Sequence, residues 1–411
     1  MAKNDLNGYE KKFEEDVTSF NDYEATDYVR TLKNDGKLDE AIEVGSTFYS
    51  MCPHLKGYIN QYGYALYNKH INLPINEIGE KENLFFSFAN DILKMCKQEK
   101  YSPYEATVNK MIRYITSKNP IDYKKYNELL NLLDPKLLSS EPLLIKERNQ
   151  EGESHLERWY RQKVKVLFEL KEYKECVTTA NNALASVHKW HYRNMQWIKY
   201  YRACSNIKLG EYNEGERDFL ALQGQIRDIN FYEVLYQTYS SLNQDLKANT
   251  FLIYDIYMSG YDITKVNLFE NLLNASKKIN YTKLTELIEV MLYKIKVETN
   301  QNVEAIEDPY PTEDSGDLYD RMMDELTDHL DKFIERHQGK VMYYNKDKEI
   351  GNILTSQEEM LFFRQADYIY DEEVKRFDVV EYSILPTYDR KKDCETNKAV
   401  LITLLYEDIR Y

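Results

Sequence analysis

Two stretches of the chain concentrate side chains able to do chemistry on a ligand: HLERWYRQKVK at 155–165 and HKWHYRNMQWIKYYR at 188–202. In the first, Arg158, Arg161 and Lys165 follow spacings of three and four, which places them on one face of a helix. In the second, Trp197, Tyr200 and Tyr201 obey the same rule. Cations beside aromatic rings suit RNA or an acidic peptide. The same pattern arises when the rings pack a helical hairpin and the cations form its solvated rim, and the sequence leaves both readings open. His188 and His191 stand three apart, a spacing that fits a metal on a helix, but no Cys, Asp or Glu pattern completes a ligand set. No glycine-rich phosphate loop, nucleophile elbow or HExxH motif occurs. The sequence therefore names no catalytic residue, no cofactor and no metal, and the expectation is a non-enzymatic protein.

Charge narrows the choice of partners. The formal net charge is −15. Residues 304–331 hold eleven acidic residues and a single basic one, Arg321, while residues 1–303 are close to neutral. Such a stretch reads as a solvated connector. The acidic balance argues against nucleic-acid binding driven by net charge alone. Cys52, Cys96, Cys176, Cys204 and Cys394 are scattered and form no CxxC pair, which suits reduced thiols. The opening MAKNDLNGYEKK is polar, and apolar runs such as AVLITLLY are far too short to span a bilayer. The expected setting is cytoplasmic, with no membrane partner.

The elements that position these groups are helical for most of the chain. Four stretches share a helix end, a short polar turn, and then a large residue followed three positions later by a small one: 32–48, 167–184, 206–222 and 241–256. The pairs are Leu38 and Ala41, Tyr173 and Cys176, Tyr212 and Gly215, and Asp245 and Ala248, where Asp takes the large position. A small residue lets one helix approach its neighbour, and a bulky one from the turn wedges between them. This signature resembles the tetratricopeptide repeat, whose period is about 34 residues. Pro53, Gly63 and Leu66 continue the resemblance in the first copy. Residues 70–150 read as divergent hairpins broken by Pro74, Pro103, Pro120 and Pro135, and the polar 139–154 reads as a boundary. The resulting organisation is 1–150, a first helical array; 151–303, a second; 304–337, an acidic connector leading into an amphipathic helix over 317–337; and 338–411, a β unit. In the helix, Leu318, Met322, Leu326, Leu330 and Ile334 form one stripe and Asp317, Asp320, Asp324, Asp328 and Asp331 lie off it.

The β unit is read from its period of two. Strands are expected at 340–345, 350–355, 360–365, 377–385 and 398–406. GKVMYYN, KEIGNI and LFFR are similar to the first three strand motifs of the cold-shock domain, a five-stranded barrel of the oligonucleotide-binding type. That family stacks bases on exposed aromatics. Carried over, its platform positions are Tyr343, Ile350, Asn352, Phe362 and Arg364, with Glu349 in place of a glycine. Tyr343 and Phe362 keep rings, Arg364 offers a guanidinium plane and a phosphate partner, and Asn352 offers hydrogen bonds only. The fold class is thus mainly α: a solenoid of tetratricopeptide-like hairpins followed by a small five-stranded barrel. The leading expectation is a scaffold or adaptor that binds a partner protein through the helical groove (Arg158, Arg161, Lys165, Trp197, Tyr200, Tyr201), with the barrel (Tyr343, Asn352, Phe362, Arg364) adding contacts to nucleic acid or to that partner. One alternative is a direct binder of RNA or single-stranded DNA using both surfaces. A second is an enzyme whose site the motifs do not reveal.

Overall fold

A computed structural model describes residues 6–145, 149–226, 229–301, 308–370 and 374–405. The chain forms two compact units, Met1–Ser205 and Asn206–Tyr411. The first holds α1 (Leu6–Glu15), α2 (Asp22–Asn34), α3 (Leu38–Met51), α4 (Ile59–Leu66), α5 (Ile75–Glu80), α6 (Glu82–Met95), α7 (Tyr104–Thr116), α8 (Tyr123–Asn131), the short hairpin β1 (Leu143–Ile145) and β2 (Gln150–Gly152), α9 (His155–Glu169) and α10 (Tyr173–Ser186). α11 (Asn194–Leu209) carries the chain into the second unit, which holds α12 (Tyr212–Leu222), α13 (Phe231–Ser241), α14 (Asp245–Ser259), α15 (Val266–Lys278), α16 (Thr282–Glu298) and α17 (Ser315–Thr327). Five strands follow: β3 (His337–Asn345), β4 (Ile350–Thr355), β5 (Met360–Arg364), β6 (Val379–Asp389) and β7 (Cys394–Leu404). No helix among the described residues is long and apolar enough to cross a membrane.

The repeated turn has one physical cause. α2, α9, α11, α13, α15 and α16 each end on a residue in the left-handed region: Gly36, Lys171, Gly210, Asn243, Asn280 and Asn300. The next backbone N–H then reaches back five residues, as from Lys37 to Leu32, Glu172 to Leu167 and Gln244 to Tyr239. This closes the helix with two orphan carbonyls satisfied. Two residues past the left-handed one sits the large residue, half-buried; three further on sits the small one. Ala41, Cys176 and Ala248 are wholly buried, as the spacing requires. The turn after α15 is a fifth copy, with Thr282 and Thr285 at the two positions. The large-then-small pattern does not reveal it, because Thr285 is neither a packing alanine nor a glycine; its hydroxyl meets that of Ser276 at 2.8 Å.

The segment 139–154, read from sequence as a polar boundary, contains the β1–β2 hairpin, a pair of strands the sequence did not suggest. The acidic connector differs from a solvated chain along 308–315; its 304–307 portion lies outside the described residues. Lys294 is buried on α16 and needs acceptors. It finds the carbonyls of Tyr310 and Glu313 and, at 3.2 Å, the carboxylate of Asp308. Glu298 accepts from the Ser315 N–H at 3.1 Å and from its hydroxyl. The amphipathic helix is shorter than expected, ending at Thr327 and not at 337. The stripe itself is as read: Leu318, Met322, Leu326, Leu330 and Ile334 are all buried, and the five aspartates are exposed. Beyond Thr327 the chain continues as a short 3-10 turn over Leu330–Lys332, where the Asn249 amide on α14 donates to the Phe333 carbonyl at 3.1 Å and Phe333 and Ile334 are buried.

The five strands close into a barrel in the order β3-β4-β5-β7-β6, an OB-like arrangement in which only the β5–β7 pairing is parallel. Each begins or ends within a few residues of its expected limits. Val341, Ile353, Phe363, Val380, Tyr382 and Ile402 fill the interior. Arg336, just before β3, ties β6 to β7. Its guanidinium donates to Glu381 at 3.2 Å, to the Ser383 hydroxyl at 3.2 Å, to the Leu401 carbonyl at 2.7 Å and to the Thr403 hydroxyl at 3.2 Å.

Candidate functional site

The outer face of β3, β4 and β5 gathers the barrel residues singled out from the sequence. Strand pairing sets Tyr343 opposite Asn352 and Asn352 opposite Phe362, so the three form one row across three strands. Neighbouring strands lie about 4.8 Å apart, which separates Tyr343 from Phe362 by roughly 10 Å, with Asn352 midway. Arg364 stands opposite Ile350 in the next row, and Lys340, Leu354 and Met360 form the row on the other side. Tyr343 is 49% and Phe362 38% exposed. Ile350 and Asn352 bring no ring, so two exposed rings and one guanidinium make up the platform.

Tyr343 faces outward because of a bulge. Val341 is wholly buried, and simple alternation would point residue 343 inward with it. The register shifts between Val341 and Tyr343, which turns Tyr343 to solvent and Tyr344 inward. The Tyr344 ring then lies parallel to buried Phe363, centroids 6.1 Å apart. Asn345 donates to the Tyr343 hydroxyl at 3.3 Å. Glu349, in the β3–β4 turn, stands at φ +52°, where glycine is the residue of least strain.

A third ring joins the face, one the sequence reading missed. Phe377 is half-exposed in the loop before β6, with the Lys340 ammonium 5.1 Å and the Arg376 guanidinium 4.6 Å from its centroid. Its N–H donates to the Val341 carbonyl at 2.7 Å and fixes the loop to β3. The signal is the Lys-Arg-Phe run at 375–377; alternation makes Phe377 the first residue of a strand, whereas β6 begins at Val379.

The row of residues ends at Lys398 of β7, the parallel partner of Phe362. Its ammonium turns away from the face. It reaches Asp367 at 2.9 Å and the Tyr254 hydroxyl of α14 at 2.5 Å, and lies 4.3 Å from the Tyr254 ring centroid. Asp367 is buried; it also accepts from the Tyr254 hydroxyl at 2.8 Å and from the Arg364 N–H at 2.7 Å. Burial lowers the Lys398 pKa, and the Asp367 carboxylate opposes that fall. This junction is structural: it seats the β5 end of the face on a helix.

The helical candidates are occupied within the fold. Arg158 donates to Glu153 at 2.9 Å, and Arg161 forks onto the same carboxylate at 2.9 and 3.0 Å. Asn194 bridges Glu153 and Glu157, at 3.1 and 2.8 Å. Glu157 is fully buried and accepts from the His191 N–H at 2.7 Å, with the His191 ring Nδ1 at 2.8 Å. Lys165 is exposed. Trp197, Tyr200 and Tyr201 cluster with centroids 5.5–6.3 Å apart, and Tyr201 packs on Phe168 at 5.3 Å. Burial raises the Tyr200 phenol strongly and the Tyr201 phenol to about 12. The structure thus joins Arg158 to Arg161, and Trp197 to both tyrosines, chiefly through internal contacts. His188 is exposed while His191 is committed to Glu157, and no group of three His, Cys, Asp or Glu among the described residues comes together to hold a metal.

This ion cluster carries a pH signature. Burial pushes the Glu153 carboxyl up, but Arg161 and then Arg158 outweigh it and hold its pKa below the ordinary value. A carboxyl whose folded pKa is depressed contributes stability above its unfolded pKa and loses it as pH falls through the folded one. Glu153→Gln is expected to melt lower than the wild type at pH 7, with the gap closing below about pH 4. Melting curves at pH 7, 5 and 3.5 check this; a gap of constant size would reject it. No protein-family model matches the chain, and no curated protein matches it.

Proposed function

We propose that the barrel face binds a short stretch of single-stranded nucleic acid, within a cytoplasmic, non-enzymatic adaptor whose helical hairpins dock a partner protein. The observation that carries the nucleic-acid half is the in-register row Tyr343–Asn352–Phe362, two exposed rings set on a rigid sheet and flanked by Lys340, Arg364 and Arg376. Every base offers a π face, and stacking contributes about 1–3 kcal/mol per base. The resemblance of the tail to the cold-shock domain supports the same reading. Because Ile350 and Asn352 replace rings of that platform, the expected affinity is modest. With a net charge of −15, attraction must come from the local cations, so binding should fall steeply with salt. The partner-protein half rests on the repeated turn and its likeness to tetratricopeptide arrays, which present grooves to peptides. Arg158 and Arg161 are engaged with Glu153, which leaves Lys165 as the available cation of that trio.

The test is fluorescence anisotropy of labelled dT12 with the full chain. The double variant Tyr343→Ala/Phe362→Ala is expected to bind about thirty-fold more weakly or worse, since two stacking platforms are lost. Salt should weaken the wild type and leave little of the variant's binding to lose. No binding by the wild type, or equal binding by both, would overturn the proposal.

A further inference from the structure

Asn352 is an unusual residue for the centre of a strand, where asparagine is disfavoured and β-branched or aromatic residues fit best. The fold does not account for it. Its inward neighbours Gly351 and Ile353 are buried, so its own side chain points outward. Its amide carries no hydrogen bond among the described residues, while the nearby amides are used: Asn345 bonds the Tyr343 hydroxyl and the Lys348 N–H, and Gln365 accepts from the Tyr344 hydroxyl at 2.8 Å. Its register partners are the two exposed rings. A base lying on either ring would present its edge to this amide.

We infer that Asn352 reads the base, and that the face selects adenine. The inference rests on the nucleic-acid reading above. A carboxamide offers one donor beside one acceptor. Adenine matches that pair on both free edges, through N6–H with N7 and through N6–H with N1. Guanine presents two acceptors, N7 and O6, on the corresponding major-groove edge, and thymine has only O4 there. Cytosine (N4–H with N3), guanine (O6 with N1–H) and thymine (O4 with N3–H) match on their pairing edges alone, so adenine is the base matched on both edges. Adenine is therefore the base that Asn352 reads whichever way it lies on Tyr343 or Phe362, and the amide costs nothing in the unbound state because solvent satisfies it.

The probes are labelled dA12, dC12 and dT12, titrated against the full chain at low salt. The wild type is expected to bind dA12 about tenfold more tightly than dC12 or dT12. Asn352→Ala should abolish that preference, weakening dA12 by about tenfold more than dT12. Asn352→Asp should abolish it too, because a carboxylate has no donor for N7 or N1. A wild type that binds all three strands equally overturns this inference and leaves the function standing, as does a preference that survives in Asn352→Ala. A wild type that binds none of them overturns both.

Discussion

Replacing Asp367 by alanine is expected to lower the melting temperature by about 10 °C. The side chain is buried and serves three donors: the Lys398 ammonium, the Tyr254 hydroxyl and the Arg364 N–H. Removing it strands Lys398, itself little exposed, without a counter-charge. Breaking a buried pair from one side costs about 3–5 kcal/mol, well above the worth of the pair itself. In a unit of this size each kcal/mol shifts the midpoint by about 2–4 °C. Lys398→Met should cost less, because Asp367 keeps two hydrogen bonds. The double variant Asp367→Ala/Lys398→Met should melt above Asp367→Ala, since it leaves no unpaired charge behind. Calorimetry at fixed ionic strength on the three variants decides the matter. If Asp367→Ala melts with the wild type, or the two losses simply add, the junction is not a coupled pair.

Much of this architecture could be read in advance. Helix pairs announced themselves through a short polar turn followed by a large residue and, three positions on, a small one, and the barrel through alternation. Matching three strand motifs named Tyr343, Asn352 and Phe362; the register that sets them in one row comes from the strand pairing. What escaped was set by contacts distant in sequence. Nothing near Lys294 foretells that it would capture the carbonyls of the acidic connector. Nothing local says that Arg158 and Arg161 share Glu153, because a glutamate five positions before one and eight before the other does not fit the three-and-four spacing of a helix face. Phe377 was visible as a residue but not as a member of the face, since its place depends on a backbone bond to Val341. Helical spacing says which side chains share a face; it does not say whether that face meets water.

Gly351→Ala should destabilise the barrel by about 3 kcal/mol or more, the upper end for overpacking. A Cβ at this position would lie 2.4 Å from the Phe363 ring and 2.5 Å from the Tyr343 carbonyl oxygen. The ring is buried and stacked on Tyr344, and the carbonyl belongs to the paired strand. Neither can retreat without shifting β3 against β4, so the bulge that aims Tyr343 would move as well. The expected result is a lower midpoint and loss of dT12 binding together. Gly79→Ala is the control: no atom lies within 4 Å of its Cβ site, and alanine favours the helix it occupies. Thermal melts of the two variants side by side give the comparison, and a Gly351→Ala protein as stable as Gly79→Ala would mean the barrel tolerates what its geometry forbids.

The parallel β5–β7 pairing also orders events in time. β3, β4 and β5 are joined by short turns, so Tyr343, Asn352 and Phe362 come together through local contacts, the kind that form at little entropic cost. Phe362 and Lys398, by contrast, are brought together across the whole of β6 and its flanking loops. Closing that span is the step expected to set the rate of assembly, since distant contacts carry the larger entropic cost. By sequence separation alone the three-strand sheet is expected to form before the Lys398–Asp367–Tyr254 junction, whose members lie 31 to 144 residues apart. A contact made after the rate-limiting step governs how long the barrel lasts, not how fast it appears. The lifetime of the folded barrel thus rests on the one lysine of that row which its surface does not show.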